Sequence, residues 1–241
     1  MTTTQTDHAA VKIDIAKQVL DTPNSKALGK VATEILIGLD PSDLQIADLK
    51  KLIAKYEERT SATFLQQQKQ AEQILGSLKM GPNGSVELTI PAALSDIDAM
   101  NALNAYFKEK LPNMKRAAIW QGDLDWYKNQ STVSGRDVTK ERTININPFV
   151  EGTRGKDRTN QGTVLKKEGM TFAAPEEVAL VVAAYACKND GKDLLNDLYT
   201  RTAASGVALT TYQYYGVRVC RSDGGYDLSD VGASGVALPA N

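Results

Sequence analysis

From Asp40-Pro41 the chain runs to the turn cluster Gly81-Pro82-Asn83-Gly84 without meeting another proline, and apolar residues recur through it at spacings of three and four. Asp40 offers an N-cap oxygen and Pro41 fills the first helical position, so the spacing predicts one helix, or a helical hairpin, over 41–79. The seam comprises Leu49, Leu52, Ile53, Tyr56, Thr60, Phe64, Gln68, Ala71, Leu75 and Leu78, with two successive fours around Thr60 that read as a stutter. A straight helix of that length spans about 60 Å at 1.5 Å per residue, longer than a compact domain needs, so part of it should project or pair. Gln66, Gln67, Gln68 and Gln70 thin the seam, which leaves a packed hairpin and an intermolecular coiled coil as competing readings. Two shorter amphipathic helices precede it. His8 to Leu20 places Val11, Ile15 and Val19 on one face, and a segment from Ser25 carries Leu28, Val31, Ala32, Ile35, Leu36 and Leu39.

Beyond Gly84 the apolar period changes to two. Val86, Leu88 and Ile90 alternate with Ser85, Glu87 and Thr89, the mark of a half-buried strand. Ser95 caps a helix running to Leu111, with Asp96 and Asp98 in its first turn, and Pro112 stops it. Lys115 to Trp120 reads as a second strand, giving a β-α-β order over 85–120 with two parallel strands. In 121–170 only Thr143 to Asn147 is strand-like, and Pro148 restricts it to an edge or ends it. Glu151 to Gly162 is by composition a mobile basic loop. Pro175-Glu176-Glu177 starts a helix whose run Val178–Cys187 is apolar nearly all round, and Gly191 closes it. A short helix, Asp193 to Tyr199, then leads into an antiparallel ribbon of Val207–Tyr214, Val217–Arg221 and, past a turn at 222–225, Tyr226–Leu228. Ala-Ser-Gly-Val-Ala-Leu occurs at 204–209 and again at 233–238, which allows equivalent strands. The fold class expected is α+β, with a helical region over 1–80 and a mixed domain over 81–241 that carries a basic polar loop at 121–170.

The composition removes several chemistries. The 241 residues include one histidine, His8, so a Ser-His-Asp or Cys-His triad would need that residue from the chain end, and His₃, Cys₂His₂ and HExxH zinc sites lack ligands. Cys187 and Cys220 read as free core thiols, and the start of the chain shows no apolar signal region, so the expected location is the cytoplasm. The longest apolar run, Val178–Cys187, is half the length of a membrane helix. Net charge is −1, although residues 111–170 hold 11 Lys and Arg against 7 Asp and Glu.

Four constellations remain. Asp123 and Asp125, two apart after the 115–120 segment, are candidates for a divalent metal, with Asp227 or Asp230 as further acids, in a metal-dependent enzyme. Gly152-Thr153-Arg154-Gly155-Lys156 lacks the spacing of a P-loop, but Arg154, Lys156 and Arg158, with Arg142, form a candidate anion or nucleic-acid site in the basic stretch 136–167, with Trp120, Trp126 and Tyr127 as stacking faces. Tyr199, Tyr212, Tyr214, Tyr215 and Tyr226 cluster in the terminal ribbon, where cross-strand packing accounts for them. Leu49, Ile53, Tyr56 and Phe64 mark the long helical segment as an interaction surface for another copy or another protein through 25–79. No catalytic set and no cofactor motif is read from the chain, so the leading expectation is a non-enzymatic structural or assembly protein, a description that virion components also fit. Nucleic-acid or phosphate binding stands second and metal-dependent catalysis third.

Overall fold

The computed structural model describes residues 62–129, 136–196, 198–212, 216–221 and 231–238. The chain clusters into two compact units, Met1–Leu65 and Gln66–Asn241. The expected helices over 8–20 and 25–39, and the part of the long helix before residue 62, lie outside the described residues. The described part is α+β: five α-helices with a five-stranded and a four-stranded sheet. The long seam enters it as α1, Ala62–Ser77, which buries Ala71, Ile74 and Leu75 and ends just after Gly76. Ser77 terminates the helix by turning its hydroxyl back to Ile74 O (2.7 Å), and the same oxygen accepts the Thr89 N–H at 2.8 Å.

The first sheet has the order β1-β2-β3-β9-β4, built from β1 Lys79–Met80, β2 Val86–Ile90, β3 Arg142–Asn147, β4 Met170–Phe172 and β9 Gly235–Ala237, every pair antiparallel. β2 follows the expected alternation, its Val86, Leu88 and Ile90 buried, with Val86 opposite Ile146 and Leu88 opposite Ile144. β3 sits inside the sheet rather than at its edge. Pro148 follows the last residue of the strand, so its missing N–H costs no ladder bond.

Helix α2, Asp96–Lys110, starts as its cap signals require: Ser95 Oγ accepts the Asp98 N–H at 3.1 Å, and Leu111 is the C-cap. It buries Ala99, Met100, Leu103 and Phe107 against α5, Pro175–Lys188. The all-round apolar character of α5 has a plain cause. The helix packs on α2 and on strands of both sheets, so no face is left for water. Gly191, at φ 78°, closes it by donating to Ala186 O at 2.8 Å.

The second sheet has the order β7-β6-β5-β8, from β5 Tyr199–Arg201, β6 Val207–Tyr212, β7 Gly216–Arg221 and β8 Val231–Ala233. β6 and β7 form the expected antiparallel hairpin, and β8 joins β5 in parallel. Gly216 is required where it stands, because a Cβ there would lie 2.1 Å from Ala117 O. The third member of the ribbon, Tyr226–Leu228, lies outside the described residues.

Four expectations are corrected. Lys115 to Trp120 is not a strand beside β2; it docks on β7 through one parallel bridge, Ile119 to Val217, so the β-α-β unit does not form. The competitor is Asn104 of α2, whose amide clamps the Ile119 backbone on both sides (Nδ2 to O 3.0 Å; N–H to Oδ1 2.8 Å). Part of the basic loop is helical: α4, Arg158–Lys167, is nucleated by Asp157, whose carboxylate accepts the Asn160 N–H at 2.8 Å. Among the described residues of 193–199 no helix forms. Asp193 Oδ1 accepts the Leu195 N–H at 2.9 Å in a local turn, and Tyr199 already belongs to β5. The two Ala-Ser-Gly-Val-Ala-Leu copies are not equivalent, since the first feeds β6 whereas the second leaves β8 at Ala233 and enters β9 at Gly235, switching sheets at Ser234.

Candidate functional site

Two helices begin with acids, Asp96 at the start of α2 and Glu176 and Glu177 in the first turn of α5, where a carboxylate is favoured by the positive end of the helix dipole. Folding brings these first turns to the same two arginines. Arg136 donates from Nη1 to Asp96 Oδ2 at 2.6 Å, and from Nη2 to Glu176 Oε1 at 2.9 Å and Glu177 Oε1 at 3.4 Å. Arg142, at the head of β3, donates from Nη2 to Asp96 Oδ1 and from Nη1 to Glu177 Oε1 at 3.2 Å. The side chains of Asp96 and Glu176 are 4% and 0% exposed, so these are interior ion pairs rather than surface ones. Burial lifts the Glu177 carboxyl above its usual range, although Arg136 and Arg142 pull it down. Burial also lowers Arg142, with Asp96 opposing.

Among the described residues, Glu176 Oε2 and the hydroxyl of the fully buried Tyr127 have no hydrogen-bond partner. Burial first, then the negative charges of Asp123 and Glu176, pushes the Tyr127 hydroxyl well above its ordinary value, which keeps it a proton donor. The cluster ties the starts of α2, α5 and β3 to one another. Guanidinium pairing leaves its carboxylates as fixed acceptors, which suits them to joining elements more than to proton transfer.

Asp123 and Asp125 lie on α3, Gln121–Lys128, not in a loop. Two residues advance a helix by about 200°, so the pair is split between opposite faces. Asp123 points inward, where its Oδ2 accepts the Val219 N–H of β7 at 2.8 Å and lies 3.5 Å from Arg218 Nε. Burial raises its carboxyl, with the Val219 and Arg218 contacts opposing. The Arg218 guanidinium in turn stacks 3.7 Å over the Trp120 ring. Asp125 is exposed and pairs with Lys128 at 2.9 Å. Asp227 and Asp230 lie outside the described residues, and among the described residues no group of three or more His, Cys, Asp or Glu is placed to hold a metal.

The anion candidates are likewise separated. Arg142 is engaged in the ion cluster, and Arg158 donates from Nη2 to Thr202 O (2.9 Å) and Ala203 O (3.1 Å) while its guanidinium covers the Phe172 ring at 4.4 Å. Arg154 and Lys156 are exposed on the loop before α4. Behind that loop lies a second buried network. Gln161 Nε2 donates to Thr153 O and Val231 O, both at 3.1 Å, and its Oε1 accepts Arg201 Nη1 at 3.1 Å. Thr153 Oγ1 donates to Val150 O (2.6 Å) and accepts the Ala233 N–H (2.9 Å). These contacts finish the outer edge of β8, where a further strand would otherwise pair.

No known family, curated protein or solved structure matches the chain. Of the candidate interaction residues, Phe64 is half-buried on α1, whereas Leu49, Ile53 and Tyr56 lie outside the described residues, as does His8. Cys187 and Cys220 are not joined in a disulfide, and burial pushes the Cys187 thiol up to about 12. Tyr199 is half-buried on β5; Tyr214, Tyr215 and Tyr226 are outside the described residues. Sequence reasoning did not anticipate Thr153, Gln161 and Arg201 as a network. The available signal was Gln161 itself, which shares the buried face of α4 with Leu165 at an i, i+4 spacing where an apolar residue is expected.

Proposed function

We propose that this chain is a non-enzymatic structural or assembly protein that acts through protein–protein contact, using residues 25–79 to bind another copy of itself or a second protein, in the cytoplasm. The observation that supports this reading is the divided character of α1. Its C-terminal half seats Ala71, Ile74 and Leu75 in the core, whereas Leu65 on the same helix is 53% exposed, and the apolar seam continues in the sequence through Phe64, Tyr56, Ile53 and Leu49. Among the described residues no helix is long and apolar enough to cross a membrane. The nucleic-acid alternative loses support from the engagement of Arg142 and Arg158 in internal contacts.

Light scattering after size-exclusion chromatography of the full chain tests the proposal over a wide range of concentration. The expected result is a defined oligomer without excess absorbance at the nucleic-acid band, converted to a smaller species when Leu49, Ile53 and Phe64 are replaced by aspartate. A monomer whose behaviour is untouched by those replacements, and which captures no protein through 25–79 on cross-linking, overturns it.

A further inference from the structure

The turn between β1 and β2 carries chemistry of its own. Asn83 stands at φ 57°, ψ 28° and Gly84 at φ 75°, and the Ser85 N–H donates to Pro82 O at 3.1 Å, which makes Pro82–Ser85 a type I′ turn. Both central residues are exposed, and a Cβ built on Gly84 would meet only Asn147 Oδ1, at 3.9 Å, so the side of the turn at Gly84 is open. We propose that Asn83–Gly84 is a site of spontaneous deamidation and that Asn147 sets its rate by holding the intervening peptide in an unreactive orientation.

The Gly84 nitrogen, having lost its proton to solvent base, attacks Asn83 Cγ. The new C–N bond closes a five-membered succinimide, Cγ–Nδ2 breaks, and Nδ2 leaves as ammonia with a proton returned from solvent. Water then opens the ring, giving aspartate when the bond to Cγ breaks and isoaspartate when the bond to the Asn83 backbone carbonyl breaks. With ψ at 28°, the Gly84 nitrogen and the Asn83 Cβ stand on opposite sides of the Cα–C bond, so the attack cannot begin. Flipping the peptide into a type II′ arrangement carries ψ toward about −120°, which brings that nitrogen alongside Cβ and within reach of Cγ. The flip carries Gly84 from φ 75° to about −80°, a value open to any residue, and leaves Asn83 at positive φ as type II′ requires. What opposes the flip is the Asn83 carbonyl, which accepts Asn147 Nδ2 at 2.8 Å. Asn147 is buried at the end of β3 and is itself held, its Oδ1 accepting the Phe149 N–H at 3.0 Å. It is a positioning residue for this reaction.

The test follows the full chain in mildly alkaline buffer, folded and in urea, and reads the mass of the Asn83 peptide over time, with Asn113, exposed in the turn after α2, as internal reference. Asn147→Asp keeps the acceptor for Phe149 and removes the donor to Asn83; Asn147→Ala removes the donor without adding charge. Folded wild-type protein is expected to deamidate at Asn83 more slowly than in urea, and the variants about tenfold faster than folded wild type, the factor that one net hydrogen bond represents, with Asn113 unchanged. Equal rates in wild type and in a folded variant overturn the proposal. If neither variant folds, the wild-type comparison decides: a folded rate equal to that in urea overturns it, and a suppressed folded rate with an unsuppressed Asn113 supports it.

Discussion

Where α2 and α5 converge, the joining groups are ionised side chains: three carboxylates share two guanidinium groups that come from 35 to 46 residues away. At the outer edge of β8 the work falls mainly to an amide and a hydroxyl, with Gln161 and Thr153 bonding backbone groups of Val150, Val231 and Ala233. The first network hinges on Arg136, because removing it leaves the buried Glu176 carboxylate without its partner. The second can lose one hydrogen bond at a time, each for a modest penalty. Equal burial therefore implies unequal sensitivity.

The largest effect is expected from Arg136→Met, which takes the guanidinium from Asp96, Glu176 and Glu177 at once. The expected loss is about 3–5 kcal/mol in urea unfolding. Replacing Arg136 and Glu176 together by apolar residues of similar size should recover part of it, since the unpaired buried charge is then gone. A loss no larger than that of a neutral hydrogen bond would mean the cluster is solvated and the contrast false. Gln161→Met is next. It keeps the volume but strips two carbonyls and Arg201 of a partner, for an expected loss of about 2–3 kcal/mol. Thr153→Val, nearly isosteric, removes one donor and one acceptor and should lose about 1–2 kcal/mol.

These networks also mark what can be read from a sequence. β2, α2 and α5 were legible because their signals are local: the alternation of Val86, Leu88 and Ile90, the Ser95 cap with Pro112 beyond, and Pro175 ahead of an apolar run. Residues 115–120 were not, because the group that decides their conformation is Asn104 on the preceding helix, and period alone does not reveal a side chain that replaces a ladder partner. The 121–170 stretch misled for a related reason. Its glycines and cations suggested an open loop, while Asp157 was the cap of α4 and Arg158 a brace against Thr202 and Ala203. The ion cluster was half visible: Asp96, Glu176 and Glu177 fit first-turn acids, and nothing nearby in sequence joins them to Arg136 and Arg142. Asp123 and Asp125 show the limit most clearly, since adjacency suggested a shared ligand and the helix turned the two apart.

The smallest effect tests whether charge at a single buried group behaves as the cluster does. Asp123 has its carboxyl raised above 3.8, mainly by burial, so between its unfolded and folded values the native state binds more protons than the unfolded chain. Stability from this group is therefore greatest at low pH and falls as pH rises through the folded value. Asp123→Asn removes that dependence while leaving an oxygen to accept the Val219 N–H. Glu177 contributes with the same sign, whereas Asp137 and Asp157, lowered by hydrogen bonds from Thr139 and Asn160, contribute with the opposite one, so only the difference between wild type and variant isolates Asp123. Urea midpoints from about pH 4 to about pH 7 should show wild type losing ground to Asp123→Asn as pH rises, by less than about 1 kcal/mol in all. A difference running the other way would mean that Arg218, 3.5 Å from Asp123 Oδ2, outweighs burial, and that this pair belongs with the ion cluster rather than apart from it.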